Sequence, residues 1–367
     1  MRLGVRAALV DGAVVPGDVV IEDGVVTAVG AGPAGTGGLA APGFVDLHVN
    51  GFAGVDFLAS DAAGYRDAAR ALAATGVVAF QPTFITSPVD VTLAALATAA
   101  GLPADDGPAV LGVHLEGPFL SPRWPGAHDP AHLRPVDPAL VDALLGAGPV
   151  RAITLAPELD GGLELVARLT ARGVVVSLGH TDADATTAKA AYDAGAQAVT
   201  HLHNAQRRWT ARDPGVAGVS LVRPDVVVQL IADGVHLAPE TILAAFATAG
   251  DRACLVTDAI EAAGQGPGAY RLGGQAVEVE GGVVRRPDGR LAGSLLTMDA
   301  AVRCAVACGV DPVRALRAAG EVPARLAGRR DLGVLRPGVP ANLVVLDDEL
   351  QVRRTLVRGR EPAAGAV

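Results

Sequence analysis

The chain has 367 residues, half of them hydrophobic but only 3% aromatic, and 30 basic against 39 acidic side chains give a formal net charge of -9. That length accommodates one large α/β domain and a small second one, packed by Ala, Val and Leu in place of rings. The acidic balance, with no basic run interleaved with aromatics, excludes nucleic acid as the expected partner.

The two longest uncharged stretches, 24–45 and 71–89, are broken by Gly, Pro, Gln and Thr, so no membrane span is predicted. The opening residues carry no apolar secretion core with a cleavage site, and a cytoplasmic chain is expected. Cys254, Cys304 and Cys308 are odd in number and lack paired spacing, which argues against a disulfide framework.

In chain order, residues 1–42 read as short strands, RAALVDG, DVVIEDG and VVTAVGAG, followed by a Gly-rich loop up to Pro42. Eight apolar runs then alternate with Ala-rich helical segments: 43–49, 77–83, 110–116, 151–157, 174–180, 198–204, 226–233 and 253–258. Helices are predicted at 61–75, 137–147, 184–194 and 239–248, several opened by Asp or Pro. A Gly-rich excursion follows, in which AVEVEGGVVRRPDG reads as a hairpin beside the barrel mouth. The last thirty residues return to strand texture in ANLVVLDDE and VRRTLVRG.

The fold expected is α/β, a (β/α)8 TIM barrel with a small β-sandwich domain built from both chain termini. Residues 1–42 plus 335–367 make the sandwich and 43–334 the barrel, with a hairpin-like insertion at 261–293. A doubly wound open sheet is the alternative.

Five of the apolar runs end on or just before a residue that binds metals or moves protons: Glu116, His180, His201, His236 and Asp258. Barrel enzymes place their chemistry at such strand ends. His114 and Glu116 share one face by the strand period of two, as do His201 and His203. A salt-bridge partner is the alternative for Glu116, a capped or solvated imidazole for His180, a solvent-facing loop histidine for His236, and a helix N-cap for Asp258. Together, one Glu and two His from strand ends make the ligand set that suits zinc or ferrous iron and leaves a position for water. The fourth run ends in Leu155-Ala156-Pro157-Glu158 and the chain's one lysine, Lys189, lies in a helical segment, which excludes a lysine-bridged pair of metals.

The motifs PGFVDLHVNG, GVHLEGPFL, GAHDP, SLGHTDA, THLHNA, ARDPGVAG, IADGVH, LVTDA and LAGSLLTMD, in that order, resemble those of the N-acetylglucosamine-6-phosphate deacetylases of the amidohydrolase superfamily. The resemblance implies one divalent metal ion per subunit, zinc before iron or another divalent ion, held by Glu116, His180 and His201. It implies Asp258 as general base and later proton donor, and His236 as a substrate contact at the reacting carbonyl. It further implies that His128 touches the sugar, that the backbone at Asn204 and Ala205 meets the phosphate, and that Arg212 reaches the phosphate of a neighbouring subunit in a homodimer.

The sequence departs from the family pattern in three places. His48-Val49-Asn50 stands where members with a second metal have His-x-His, so His48 marks at most a weak second site. Gln206-Arg207-Arg208-Trp209 follows Asn204-Ala205 where Met is usual, and Arg207 and Arg208 add charge near the implied phosphate site. His203 replaces a residue that is commonly aromatic. The expected reaction is hydrolysis of N-acetylglucosamine 6-phosphate to glucosamine 6-phosphate and acetate. A galacto epimer, another amide, a deaminase substrate and a catalytically dead scaffold stand as alternatives.

Overall fold

Eight parallel strands form the frame: β1 (Phe44–Val49), β2 (Val77–Ile85), β3 (Val113–Glu116), β4 (Val150–Leu155), β5 (Val175–Leu178), β6 (Ala198–Val199), β7 (Val227–Leu230) and β8 (Ala253–Leu255). Each pairs with the next in sequence. The ring closes where Val49 bridges Ala259 and the Asp258 N–H donates to His48 O at 2.8 Å. This computed structural model describes residues 1–103 and 107–362; positions 363–367 of the expected terminal domain lie outside the described residues.

All nine residues of β2 are buried, as are all of β1, β3 and β7, which is why these strands are continuous apolar runs instead of alternating ones. Asp61, Asp137 and Asp184 cap the helices Ala62–Ala74, Pro138–Ala147 and Ala185–Asp193 by accepting backbone N–H groups of the first turn. Small residues such as Ala68, Ala71 and Ala188 are fully covered, so helices approach the barrel closely without aromatic wedges.

The strands are shorter than the apolar runs. β5, β6 and β8 stop at Leu178, Val199 and Leu255, because the backbone turns left-handed at His180 (φ 49°), His201 (φ 31°) and Asp258 (φ 50°) just beyond them. The third run is interrupted at Gly112 (φ 85°), leaving Ala109–Val110 as a separate short pairing on β2.

The Gly-rich loop expected before Pro42 instead contains a strand, Leu39–Pro42, which lies between Ala7–Val10 and Leu343–Leu346 in a five-stranded sheet completed by Ala13–Pro16 and Val352–Leu356. Asp18–Glu22 and Val25–Ala31 form a second, two-stranded sheet. Val19, Ile21 and Val26 of that pair share a buried cluster with Ala8, Ala40, Leu343 and Leu356 of the larger sheet. After β8, the excursion holds the hairpin Gln275–Glu280 and Val283–Arg285, plus a strand at Gly268–Leu272 that the turn residues alone did not reveal. Among the described residues no helix is long and apolar enough to cross a membrane.

Candidate metal centre

Glu116, the last residue of β3, projects into the mouth of the barrel beside His180 and His201. Glu116 Oε1 lies 3.0 Å from His180 Nε2 and 3.0 Å from His201 Nε2, and the two imidazole nitrogens are 3.1 Å apart. All three side chains are buried. The His180 Nδ1–H donates to Trp124 O at 3.0 Å, which fixes the tautomer and leaves Nε2 as a lone-pair donor facing its two neighbours. Three lone-pair atoms gathered within mutual contact satisfy one another poorly, and His201 Nδ1 is buried without a partner. One carboxylate and two imidazoles suit a divalent cation of zinc type.

Gly117 follows the carboxylate with φ 92°, and a Cβ there would stand 2.1 Å from Thr86 Oγ1, the hydroxyl that donates to Glu116 O at 2.9 Å. Only glycine lets the chain turn away at this point. Burial would raise the Glu116 carboxyl, but His48, His180 and His128 hold it well below its ordinary value. Burial lowers His201, and together with the neighbouring His180 it brings His128 down to about 4, so these imidazoles are neutral near pH 7.

Asp258 faces this cluster from the end of β8. Its Oδ1 accepts the Asn50 amide at 2.7 Å and lies 3.2 Å from His48 Nε2, so Oδ2 receives no hydrogen bond among the described residues. Burial works upward on Asp258 and His48 works downward; the second prevails and the carboxyl stays below its usual range. Burial draws His48 down, but Asp258 and Glu116 drive it well above the ordinary imidazole value. Asn50, one of the three departures from the family pattern, serves as a hydrogen-bond donor to Asp258.

His236 sits past β7 with Nδ1 2.7 Å from Asp233 Oδ2, and its backbone N–H donates to Asp233 Oδ1. Burial lowers its pKa, yet Asp233 raises it further and the net shift is upward. The sequence reading missed Asp233, although its position three residues before His236 in IADGVH was a usable signal. It also gave no role to Glu158, whose carboxylate takes Thr181 Oγ1 at 2.5 Å and the Asp182 N–H at 2.6 Å and so braces the turn carrying His180.

His128 is 1% exposed; its Nε2 faces Glu116 Oε2 at 3.4 Å, and its Nδ1 accepts the Thr86 N–H. His114 lies one layer below, bonded to Thr83 Oγ1 at 3.0 Å and Thr154 Oγ1 at 2.7 Å, with burial pushing it down to about 3. The departure after Ala205 divides in two. Gln206 is buried and donates to Thr200 O, and Arg207 is held by Asp213 at 2.8 Å, whereas Arg208, Trp209 and Arg212 are exposed. The Asn204 amide donates to Leu202 O, and Ala205 (φ 47°) is one of three left-handed residues, with His201 and His203, that curl this loop beside the centre.

The model of the amidohydrolase family matches residues 39–361. The chain is 41% identical over 345 residues to N-acetylglucosamine-6-phosphate deacetylase of Bos taurus, covering 88% of this chain and 83% of that protein. It is 38% identical over 351 residues to N-acetylgalactosamine-6-phosphate deacetylase of Escherichia coli O157:H7, covering 93% of each. Among solved structures, an N-acetyl-D-glucosamine-6-phosphate deacetylase mutant of Mycobacterium smegmatis, in complex with N-acetyl-D-glucosamine-6-phosphate, superposes with a TM-score of 0.91 at 36% identity over 98% of both chains.

Proposed function

The chain belongs to the amidohydrolase family, and from that premise we infer that it removes the acetyl group of N-acetylglucosamine 6-phosphate, releasing acetate and glucosamine 6-phosphate. The observation that carries this reading is the meeting of Glu116 Oε1, His180 Nε2 and His201 Nε2 within 3.1 Å of one another, next to a carboxylate, Asp258, with one oxygen uncommitted. One divalent cation per subunit, zinc first, would be held by those three side chains. When bound, it supplies a Lewis acid and brings the pKa of water toward neutrality.

The chain's own residues do the rest. Asp258 Oδ2 takes the proton of the attacking water, while the Asn50 amide bonds Oδ1 and stops the carboxylate from rotating, with His48 facing Oδ1 as its charge partner. His236, kept as an imidazolium by the Asp233 carboxylate that takes its Nδ1–H, donates its Nε2–H to the acyl oxygen and steadies the negative charge that develops there. Asp258 then passes its proton to the amide nitrogen, so the C–N bond breaks to a neutral amine and acetic acid. The acid keeps the oxygen of water and loses its remaining proton to the freed Asp258 carboxylate, and then to solvent as acetate departs. His128 contributes at the sugar side, the Asn204-Ala205 backbone with Arg208 meets the phosphate, and Arg207 serves chiefly to hold the loop. The active form is a homodimer in the cytoplasm in which Arg212 reaches the partner's phosphate site through its planar fork.

A second reading, the galacto epimer, is favoured by the Escherichia coli relative that matches 93% of the chain. Steady-state kinetics on both N-acetylated 6-phosphates, their unphosphorylated parents and an amine-releasing deaminase substrate test the proposal. Acetate release from the gluco phosphate with the highest kcat/KM is expected; faster turnover of the galacto phosphate selects the second reading, and no acetate from either overturns both.

A further inference from the structure

The excursion after β8 touches the metal centre through one loop. Gln275 Nε2 donates to Ala127 O at 3.0 Å, Arg286 Nη1 donates to the same carbonyl at 2.8 Å, and Arg290 Nη1 donates to Gly126 O at 3.2 Å. The loop so gripped lies against both kinds of ligand. A Cβ on Gly126 would stand 2.8 Å from His180 Cε1, and Trp124 O receives the His180 Nδ1–H. His128, with Nδ1 occupied by the Thr86 N–H, carries its proton on Nε2 and aims it at 3.4 Å toward Glu116 Oε2, the oxygen not shared with His180 and His201, with His48 Nε2 further off at 3.6 Å.

We propose that the Gly268–Arg290 excursion is an affinity clamp for the metal ion, acting through the 124–128 loop: His128 orients the Glu116 carboxylate, and Gln275 and Arg286 hold the loop that places His128. The inference rests on the metal-centre reading above; it adds a positioning role to His128 beside its contribution at the sugar side, and gives one to Gln275 and Arg286, which touch neither ion nor substrate. The physical reason is pre-organisation. A carboxylate free to rotate must be ordered when the ion arrives, whereas one whose second oxygen already faces a donor presents its ligand atom at no further entropic cost, and such outer contacts are commonly worth about 10–100-fold in metal affinity.

Zinc dissociation constants by chelator competition, and visible absorption of the cobalt(II)-loaded protein, test the clamp on the full chain. His128→Leu should weaken zinc binding by about 10–100-fold. The Gln275→Ala/Arg286→Ala double variant should weaken it by at least several-fold, and both should alter the cobalt band. His128→Gln and Arg286→Lys, which keep a donor at each position, should recover most of the loss. Because a variant that folds poorly would also bind weakly, the melting curve of each metal-free variant is recorded alongside. Parent-like zinc affinity in His128→Leu or in the double variant overturns the clamp, as does a fall in metal-free melting with an unchanged cobalt band. If the parent itself binds no divalent ion, the metal-centre reading fails first and the clamp with it.

Discussion

Two polar layers cross the interior of this barrel, one turn of side chains apart, and they solve opposite problems. In the lower one, Thr83 Oγ1, His114, Thr154 Oγ1, Thr200 Oγ1 and Ser177 Oγ form a chain of hydrogen bonds of 3.0, 2.7, 2.8 and 2.6 Å. Every ring nitrogen of His114 has a partner, and the layer is complete. In the upper layer, Glu116, His180 and His201 crowd their lone pairs together, and His48 and His201 keep buried nitrogens without hydrogen-bond partners. A buried imidazole does not by itself announce a ligand. What separates the two layers is whether the protein satisfies its own polar atoms or leaves that to something else.

The largest effect should come from the upper layer. Asp258→Asn should lower kcat by about 10²–10⁴-fold, while elemental analysis still finds the parent's metal content; retained turnover would break the division of labour between ligands and proton carrier. Next, Glu116→Gln should weaken zinc binding by more than about a hundredfold, beyond what loss of an outer contact produces. The apoprotein should also lose the stabilisation that bound metal adds, about 2.7 kcal/mol at a free-ion concentration a hundred times the dissociation constant; calorimetry with and without chelator measures it.

The lower layer should respond in the reverse sense. Thr154→Val leaves the His114 ring and Thr200 each short of a partner and should cost about 1–3 kcal/mol in denaturant unfolding with metal affinity unchanged. A matching fall in metal affinity would mean that the two layers are one network. A final, smaller effect sharpens the upper layer's edge. His236 is raised in the folded protein, so the contribution of its Asp233 bond is fully present below pH 6.5 and lost as pH climbs through the elevated value. Asp233 is lowered, so its share is present above its unfolded value near 3.8 and lost as pH falls through the depressed one. The stability difference between the parent and Asp233→Asn should therefore peak, at about 1–3 kcal/mol, between these limits and shrink at either side.

The barrel was legible in the sequence because buried parallel strands must be continuous apolar runs, and all eight stand where such runs lie. Their ends were not, because left-handed turns fall at His180, His201 and Asp258, and although His and Asp are enriched in that conformation, most of them in a chain do not adopt it. Such backbone costs energy that the surrounding structure has to hold in place, and here it coincides with the residues of the centre. The tightest cluster was legible as residue types at strand ends. Its supports were not: Trp124 contributes a carbonyl, which has no letter in the sequence, and Asp233 and Glu158 act through contacts that only the fold creates.

The sheet that joins the two ends of the chain has a consequence for biosynthesis. Leu39–Pro42 can pair with Ala7–Val10 as soon as both emerge, but its other edge waits for Leu343–Leu346. At ribosomal speeds that delay is on the order of 15–60 s. Throughout it, an apolar edge stands open to other nascent chains. Crowded expression should therefore reveal aggregation of early intermediates, with the finished enzyme left unaffected.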